Sequence, residues 1–508
     1  MPPLFPLHRR RVFTVTCLAL AGLAFATARA ELALPAVFAD HMVLQRDAVV
    51  PVWGTADAGA VVTVEFAGQK KSATAAPDGR WRVDLDPLSA SAAPRDLAVS
   101  ANRESKIENQ KFSDVLVGEV WLGSGQSNMA FLVSRGLDFE SEKAAAKFPL
   151  IRHFKEESAN AATPQTVGKG QWAVCAPETV GGFSAALYFF GREVHQTLGV
   201  PVGLVHSSVG GTPIESWIAA DVQRDHKELQ TALAALPATP PPAPAAATAP
   251  AAPPVETKKA AAKNAKTTKA AKAATPRPPG GLFNGKISPL IPYAIRGALW
   301  YQGEANSTPP KAPLYALQLP LLIRDWRARW GCEFPFAWVQ LPNFAGAGRD
   351  WPTVREGMLK TLALPRTGMA IAIDVGEEND IHPKNKQAVG HRLAQWALGE
   401  VYGQNVPSTS GPLPAGHEVR GGEITLRFTH ADGGLVAKGG ALTGFVVAGA
   451  DRKFLPAQAR IVGATVVVSA PDVAAPLAAR YAWENFPTCN LYNAAGLPAS
   501  PFRTDDWK

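Results

Sequence analysis

Hydrophobic and polar residues alternate in short runs over the first part of the chain. From Leu34 to about Gln110 these runs are separated by turn residues such as Pro77-Asp78-Gly79, a pattern typical of antiparallel strands. The clearest runs are Val49–Gly54, Val61–Phe66 and Trp81–Leu85. The pattern predicts an N-terminal β-sandwich-like domain over residues 31–112.

Between Asp114 and about Asn405, short hydrophobic runs alternate with longer segments of helical spacing. The strand-like runs are Val115–Leu122, Val202–Val205, Ile295–Trp300, Phe336–Leu341 and Met369–Ile373. The helix-like segments are Phe183–Leu198, Leu314–Trp330 with an interruption at Pro320, and Asn385–Tyr402. This alternation predicts an α/β domain over residues 113–405, with a mostly parallel sheet and helices on both faces.

Strand patterns return from Gly411 to about Ala482, with no helical stretch between them. The runs are Glu423–Phe428, Gly444–Val447 and Ala464–Val468. They predict a C-terminal β-module over residues 406–490. The turn-rich residues 491–508 are expected to form a tail that packs back onto the α/β domain.

Residues 1–30 have the composition of a secretory signal peptide. The basic Arg9–Arg11 precedes the apolar stretch Val12–Thr27, and Ala28-Arg29-Ala30 is a small-x-small cleavage site. The apolar stretch is shorter than the roughly 20 residues of a membrane-spanning helix, which disfavours an anchor. We therefore predict a periplasmic or secreted protein without a transmembrane segment after cleavage.

Residues 237–281 are composed almost wholly of Ala, Pro, Thr and Lys, without an aromatic residue. Such a segment buries too little apolar surface to offset its chain entropy, so we predict a disordered insertion within the α/β domain.

The formal net charge of +8 comes from these two segments. Residues 1–30 carry +4, the insertion carries +6, and the remaining residues carry −2. A nearly neutral body lacks the basic face that nucleic-acid binding requires, so we expect no nucleic-acid partner.

Cys175, Cys332 and Cys489 remain after signal cleavage, and no pair has the short spacing of a zinc or redox motif. The sequence leaves open whether two of them form a disulfide, and which two. The histidines show no His-Glu-x-x-His pattern, which disfavours metal-dependent hydrolysis.

Four polar motifs each follow a predicted strand. They contain Ser127, Gly210-Gly211, Gln302 and His382. Because ligands of open α/β sheets bind beyond the carboxyl ends of the strands, we expect these residues to meet at one edge of the sheet.

The residue types match the chemistry of ester hydrolysis. Ser127 is the candidate nucleophile, His382 is the base that removes its proton, and Asp380 would orient the imidazole. The backbone N–H groups of Ser127 and Gly211, with the amide of Gln302, are candidate donors to an oxyanion.

Each residue also has a purely structural explanation. Ser127 would cap a helix, Gln302 would satisfy a buried backbone group, and His382 would lie on a loop near a proline. Their joint placement favours catalysis. A catalytically inactive glycan-binding protein is the alternative from another class, and the intact Ser127 and His382 disfavour it.

The motifs resemble those of the sialate O-acetylesterase family of SGNH hydrolases. They are Gly125–Met129, His206–Trp217, Trp300–Asn306 and Asp380–Lys386, with Asp40–Arg46 and Asn490–Asn493 near the ends of the mature chain. The resemblance implies a flavodoxin-like SGNH domain flanked by β-modules. It also implies a secreted serine esterase that removes O-acetyl groups from a sugar or oligosaccharide without a cofactor. Similar bacterial enzymes resemble deacetylases of plant polysaccharide such as xylan or xyloglucan, which leaves the substrate open.

The chain departs from the family pattern in two places. SGNH enzymes usually carry Asp three residues before the catalytic His, where this chain has Asn379. The alternatives to Asp380 are therefore Asp374, Glu377 and Glu378. Asn306, in the Gly-x-x-Asn block, is a second candidate oxyanion donor. Gln302 is favoured because related esterases with a Gln-Gly-Glu motif resemble enzymes that use the glutamine.

Overall fold

The computed structural model describes residues 31–103, 106–237 and 279–507. The predicted signal peptide and most of the predicted insertion, residues 238–278, lie outside the described residues. Where the chain resumes, the backbone N–H of Gly280 donates to the carbonyl of Glu215.

The N-terminal part consists of strands whose alternate side chains are buried. The strands are β1 (Val43–Gln45), β2 (Val50–Thr55), β3 (Val61–Phe66), β4 (Gln69–Thr74), β5 (Arg80–Leu85), β6 (Ser91–Arg103) and β7 (Lys106–Gly125). In β3 and β5 every second residue is buried, because successive side chains of a strand point to opposite faces. β3 pairs antiparallel with β4 and β6, and β2 pairs antiparallel with β5.

A central sheet follows. Its further strands are β8 (Ile151–Glu156), β9 (Gly170–Val174), β10 (Val202–Ser208), β11 (Gly297–Tyr301), β12 (Phe336–Val339) and β13 (Thr367–Ala370). Their order is β13-β12-β11-β7-β10-β8-β9, and every neighbouring pair is parallel except β8 and β9. The predicted α/β class is confirmed, with a mixed sheet. The hydrophobic pattern did not indicate β8 or β9.

Strand β7 belongs to both parts of the molecule. Its residues up to Val117 pair antiparallel with β6, whereas residues 119–125 pair in parallel with β10 and residues 121–125 with β11. The predicted domain boundary at 112/113 therefore falls inside one continuous strand.

Seven α-helices connect the strands within the described residues. They are α1 (Phe139–Ala145), α2 (Ala185–Leu198), α3 (Ala220–Asp225), α4 (Lys227–Ala234), α5 (Tyr315–Trp330), α6 (Trp351–Thr361) and α7 (Lys386–Trp396). None of these described helices is long and apolar enough to span a membrane.

Helix α5 continues through Pro320, where an interruption was predicted. A proline inside a helix removes one backbone hydrogen bond. The buried side chains of Leu319, Leu322 and Trp326 on either side keep both parts of the helix against the same core. Tertiary packing therefore overrides the local preference of the proline.

The two faces of the central sheet build two different cores. Leu122, Trp300 and Trp338 point to one side, where they join side chains of α5 and α6. Their neighbours Trp121 and Tyr301 point to the other side, which α2 and α7 cover. The three tryptophans are fully buried, each worth a few kcal/mol by transfer of apolar surface (about 25 cal/mol per Å²).

The C-terminal part is antiparallel. Its strands are β14 (Leu413–Arg420), β15 (Glu423–Thr429), β16 (Leu435–Ala437), β17 (Phe445–Ala448), β18 (Leu455–Pro456), β19 (Gln458–Val462), β20 (Thr465–Ser469), β21 (Ala478–Tyr481), β22 (Leu491–Asn493) and β23 (Phe502–Arg503). They form the sheets β14-β15-β20-β19 and β18-β17-β21-β23 and the pair β16-β22.

The last residues contact both neighbouring parts. Strands β22 and β23 pair with the C-terminal strands β16 and β21. The hydroxyl of Tyr492 also donates to Asp374, 3.1 Å away, and Arg503 forms an ion pair with Glu356 of α6. The tail therefore ties the C-terminal sheets to the α/β part.

All three described cysteines are free thiols. Burial raises the pKa of Cys175 to about 12 and that of Cys489 to about 11. These two thiols therefore stay protonated at neutral pH.

Gly125, the last residue of β7, cannot carry a side chain without moving the next strand. Its φ is +136°, and a Cβ atom would lie 2.1 Å from the carbonyl oxygen of Tyr301. We expect Gly125→Ala to lower the free energy of unfolding by about 2 kcal/mol or more, measured by denaturant titration. Gly182→Ala is the matched control, because a Cβ there meets nothing within 4 Å. Equal stability of the two variants would contradict the prediction.

Candidate active site

The structure brings Ser127 and His382 into contact. Ser127 is half-buried in the turn that directly follows β7, and its Oγ lies 2.8 Å from Nε2 of His382. His382 lies on the loop between β13 and α7. No helix begins at Ser127, so its hydroxyl serves as the partner of an imidazole and not as a helix cap.

Asp380 is the carboxylate beside this histidine. Its Oδ1 lies 3.6 Å from His382 Nδ1 and accepts the backbone N–H of His382 at 2.9 Å. The side chain of Asp380 is 45% exposed. The distance to Nδ1 is longer than a hydrogen bond, as is frequent for catalytic pairs in structures without substrate.

Two of the alternative carboxylates have other partners. Asp374 forms a two-pronged ion pair with Arg392, and Glu377 accepts hydrogen bonds from the backbone and side chain of Lys384. Glu378 bonds through its backbone carbonyl to Ala345. Asp380 is therefore the carboxylate that the structure places next to His382.

The surroundings of His382 favour its neutral form. Burial lowers the pKa of His382 below its ordinary 6.5, and the positive charges of Lys386 and Arg135 act in the same direction. Asp380 opposes them by stabilising the imidazolium. At neutral pH the imidazole can therefore accept a proton from Ser127.

The loop after β10 passes directly beside Ser127. A Cβ built on Gly210 would lie 3.4 Å from the Cβ of Ser127, and Gly211 is exposed with a φ of +68°. Glycine adopts this left-handed conformation without strain. Among the described residues, neither the backbone N–H of Ser127 nor that of Gly211 has a hydrogen-bond acceptor, so both can donate to a ligand.

The amide of Gln302 is buried and directed toward the same loop. Its Nε2 donates to the carbonyl of Thr212 at 3.1 Å and to Oδ1 of Asn306 at 2.7 Å. Tyr315 donates to Oε1 of Gln302 at 3.0 Å, which fixes the orientation of the amide. Both hydrogens of this amide are therefore used within the protein.

Asn306 is buried next to Gln302. Its Oδ1 accepts the backbone N–H of Ile214, and its Nδ2 donates to the carboxylate of Glu215 at 2.9 Å. Gln302 and Asn306 together hold the segment 212–214 that follows Gly211. The structure brings them beside the glycine loop, with no amide hydrogen free.

A buried polar network lies beneath Ser127 and His382. Asn128 donates to Glu304 at 2.6 Å and to the carbonyl of Ile381 at 3.0 Å, and it accepts from Nζ of Lys386 at 2.7 Å. Asn128, Glu304 and Lys386 are each at most 2% exposed. All three lie inside motifs that the sequence singled out, but a motif does not reveal which of its polar residues become buried, so their contribution was missed.

A groove of about 620 Å³ lies elsewhere, between the N-terminal strands and the loop around Gln165, and is lined by residues that include Trp53, Trp81 and Phe283. It contains none of the predicted site residues. The volume of this groove is therefore not evidence that the catalytic site lies in it. Within the described residues, no cluster of three or more His, Cys, Asp or Glu side chains could hold a metal ion.

The pKa of His382 can be measured directly. Because burial lowers it, we expect the His382 resonance to titrate below pH 6.5 by NMR of histidine-labelled protein. Asp380→Asn removes the charge that stabilises the imidazolium, so the midpoint should fall further. A midpoint that rises in Asp380→Asn would contradict this assignment. The resonance of His391, an exposed histidine next to Glu193, serves as the reference signal in the spectra of both proteins.

A family model and known proteins both place the chain among the same group of esterases. The family model of the carbohydrate esterases called sialic acid-specific acetylesterases matches residues 117–236 and 285–399. The sialate O-acetylesterase of Rattus norvegicus is 30% identical over 519 residues, covering 91% of this chain and 92% of that protein. The Homo sapiens sialate O-acetylesterase is 29% identical over 509 residues, covering 91% and 90%.

A solved structure extends the similarity to three dimensions. The crystal structure of a carbohydrate acetylesterase from Xanthomonas citri is 37% identical, with a TM-score of 0.80, and covers 94% of this chain and 100% of that chain. The two segments matched by the family model contain Ser127, Gly211, Gln302 and His382. The chain belongs to the sialic acid-specific acetylesterase family of carbohydrate esterases.

Proposed function

We propose that this protein is a serine esterase that removes O-acetyl groups from carbohydrate. The observation that carries the proposal is the hydrogen bond of 2.8 Å between Ser127 Oγ and His382 Nε2. It lies at the edge of the central sheet where the carboxyl ends of the parallel strands meet. Family membership supports the substrate class, because the relatives are called sialate O-acetylesterases and the similar solved structure a carbohydrate acetylesterase.

The fold of the catalytic part is proposed to be the flavodoxin-like SGNH type. β8 is parallel to β10 but forms an antiparallel pair with β9 at the end of the sheet. The five other strands lie in the order β10-β7-β11-β12-β13, which is 2-1-3-4-5 in chain order. This is the flavodoxin-like order, in which ligands bind where the strand order reverses. Ser127 follows β7 and Gln302 follows β11, on the two sides of that switch point.

The reaction proceeds through an acetyl-enzyme. Ser127 Oγ attacks the acetyl carbonyl carbon while its proton passes to Nε2 of His382. The tetrahedral intermediate expels the sugar hydroxyl, which takes the proton back from His382. A water molecule then gives a proton to His382 and attacks the acetyl carbon, and the bond to Ser127 Oγ breaks as His382 returns that proton to Oγ, which releases acetate and restores Ser127 and His382. Asp380 stabilises the imidazolium that forms in each half.

The oxyanion of the intermediate is stabilised by the backbone N–H groups of Ser127 and Gly211. Of the two side-chain candidates, Gln302 is favoured over Asn306. The preference rests on the Gln-Gly-Glu motif of residues 302–304, because both amides use their hydrogens inside the protein: Asn306 donates to Glu215 at 2.9 Å and to Oε1 of Gln318 at 3.5 Å.

The sugar is to be identified by a screen. Release of acetate from acetylated sialic acid, acetylated xylan and acetylated xyloglucan should be compared with release from a small chromogenic acetate ester. Activity is proposed to occur outside the cytoplasm, in the periplasm or medium, because of the signal-peptide pattern of residues 1–30.

Ser127→Ala tests the nucleophile. The change removes only a hydroxyl, so the variant should keep its unfolding curve while kcat on the chromogenic ester falls by at least about 10³-fold. Wild-type protein without acetate release on any of these substrates would overturn the esterase proposal. Retention of most activity in a folded Ser127→Ala variant would overturn the assignment of Ser127 alone.

Gln302→Ala separates a role in the transition state from a role in packing. A donor that acts on the oxyanion should lower kcat by about 10²–10³-fold with little change in KM. Asn306→Ala serves as the comparison, because it removes a neighbouring buried amide. If only Asn306→Ala shows this loss in kcat, or if the loss in Gln302→Ala is accompanied by unfolding, Gln302 is not the donor.

A further inference from the structure

Lys386 is a buried cation next to the reacting groups. Its side chain has no exposed surface, and its ammonium lies 4.7 Å from the centre of the Phe131 ring and 5.2 Å from that of Tyr301. Within the described residues, no carboxylate lies within ion-pair distance of this ammonium. A buried charge without a paired countercharge is costly, so its presence calls for an explanation.

The ammonium of Lys386 donates hydrogen bonds to the chain neighbours of the two reacting residues. Nζ donates to Oδ1 of Asn128 at 2.7 Å and to the carbonyl of Pro383 at 2.7 Å. Asn128 directly follows Ser127 and Pro383 directly follows His382. One ammonium thus contacts the neighbour of the nucleophile and the neighbour of the base.

Asn128 closes the connection from the other side of His382. Its Nδ2 donates to the carbonyl of Ile381 at 3.0 Å, so both residues that flank His382 are fixed through the same network. The second hydrogen of Nδ2 goes to Glu304 at 2.6 Å, and the other carboxylate oxygen of Glu304 is buried without a partner in the described part of the chain. The network therefore has a cationic and an acidic end, separated by one amide.

We propose that Lys386 is a positioning residue, which through Asn128 and Pro383 holds the Ser127 and His382 loops together and places a buried positive charge close to them. The inference rests on the proposed Ser127–His382 chemistry. It assigns Lys386 no contact with the substrate.

The charges that face Lys386 determine how it titrates. They are Glu304 from the turn after β11, Glu377 and Asp380 from the loop before α7, and Arg135 from the turn after Met129. Burial lowers the pKa of Lys386 to about 7, while Glu304 is the largest of the influences that raise it. Burial also raises the pKa of Glu304 above its ordinary value.

Two effects on the pH profile follow from the signs of these interactions. Protonated Lys386 lowers the pKa of His382, so loss of the lysine charge moves the acid limb of kcat/KM to higher pH. Lys386 loses its proton as the pH rises through about 7, which weakens its hold on Asn128 and Pro383, so the wild-type kcat falls on the alkaline side of the profile. A residue that merely filled space would affect neither limb.

The test is Lys386→Met, which keeps the length of the side chain and removes the charge. With the chromogenic acetate ester, kcat should fall by about 10²-fold with little change in KM, because small displacements of reacting groups have effects of this size. The acid limb should move to higher pH, and the alkaline limb should disappear.

Lys286→Met is the matched control. Lys286 is also buried and donates to the backbone carbonyls of Glu156 and Ser158, but it forms an ion pair with the carboxylate of Glu156 and has no contact with Ser127 or His382. Both variants should lose stability in denaturant titrations. Only Lys386→Met should change kcat and the pH profile of the folded protein.

Glu304→Gln keeps the acceptor for Asn128 and tests the electrostatic half of the proposal should Lys386→Met fail to fold. Without the carboxylate charge, Lys386 should lose its proton at lower pH, so the alkaline limb should move downward. The proposal is overturned if this limb does not move, or if folded Lys386→Met has the wild-type kcat and acid limb. Acetate release by the wild type, and its loss in Ser127→Ala, tests the proposed function separately from either result.

Discussion

The parallel pairing of β7 with β10 and β11 is the constraint on which the site depends. Because all three strands run in one direction, the turns that follow them meet at the same edge, and each supplies one part of the site. Gly125 allows the closest approach, since its backbone lies against the carbonyl of Tyr301 at the end of β11. The N–H of Gln126 donates to that same carbonyl at 2.9 Å, which fixes where Ser127 begins its turn. The position of Ser127, the proposed nucleophile, is therefore set by backbone geometry and not by the serine itself.

The opposite end of the same stretch of β7 is held by charge. Glu119 has no exposed surface and accepts hydrogen bonds from Arg46 at 2.5 Å and from Arg296 at 2.7 Å. Burial alone would raise the pKa of Glu119, but the two arginines lower it below the ordinary value. Arg46 follows β1 and Arg296 precedes β11, so one carboxylate ties the N-terminal strands to the central sheet. The strand is thus anchored by fully paired charges at one end and carries the reactive, incompletely paired groups at the other.

Sequence patterns predicted the strands whose buried residues either alternate with exposed ones or form one continuous hydrophobic run. The alternating burial of β3 and β5 and the hydrophobic runs of β10 to β13 follow directly from the strand period, and the motif at each strand end indicated where Ser127, Gly211 and Gln302 would lie. The last two strands at one end of the sheet, β8 and β9, were missed. In β8 Arg152 pairs with Asp114, so its polar residues are satisfied by tertiary contacts that no local pattern records. The continuity of α5 through Pro320 has the same origin, because packing on distant residues decides it. The partners of Gln302 and Asn306 could not be predicted either, since hydrogen bonds to residues 212–215 depend on how two loops about ninety residues apart are brought together.

Asp380 and Lys386 act on His382 from environments that differ in exposure to solvent. Asp380 is about half exposed, so water and salt screen its attraction to the imidazole, and it lies 3.6 Å from Nδ1. Lys386 has no exposed surface, so its charge acts on His382 through a medium of low polarizability and is screened far less. An orienting carboxylate at the surface is thereby combined with a buried cation that opposes protonation of the same ring. The two act in opposite directions on the pKa of His382, and burial together with the cation prevails. In the proposed mechanism, His382 is therefore unprotonated before the substrate binds, and Asp380 acts mainly once the imidazolium has formed.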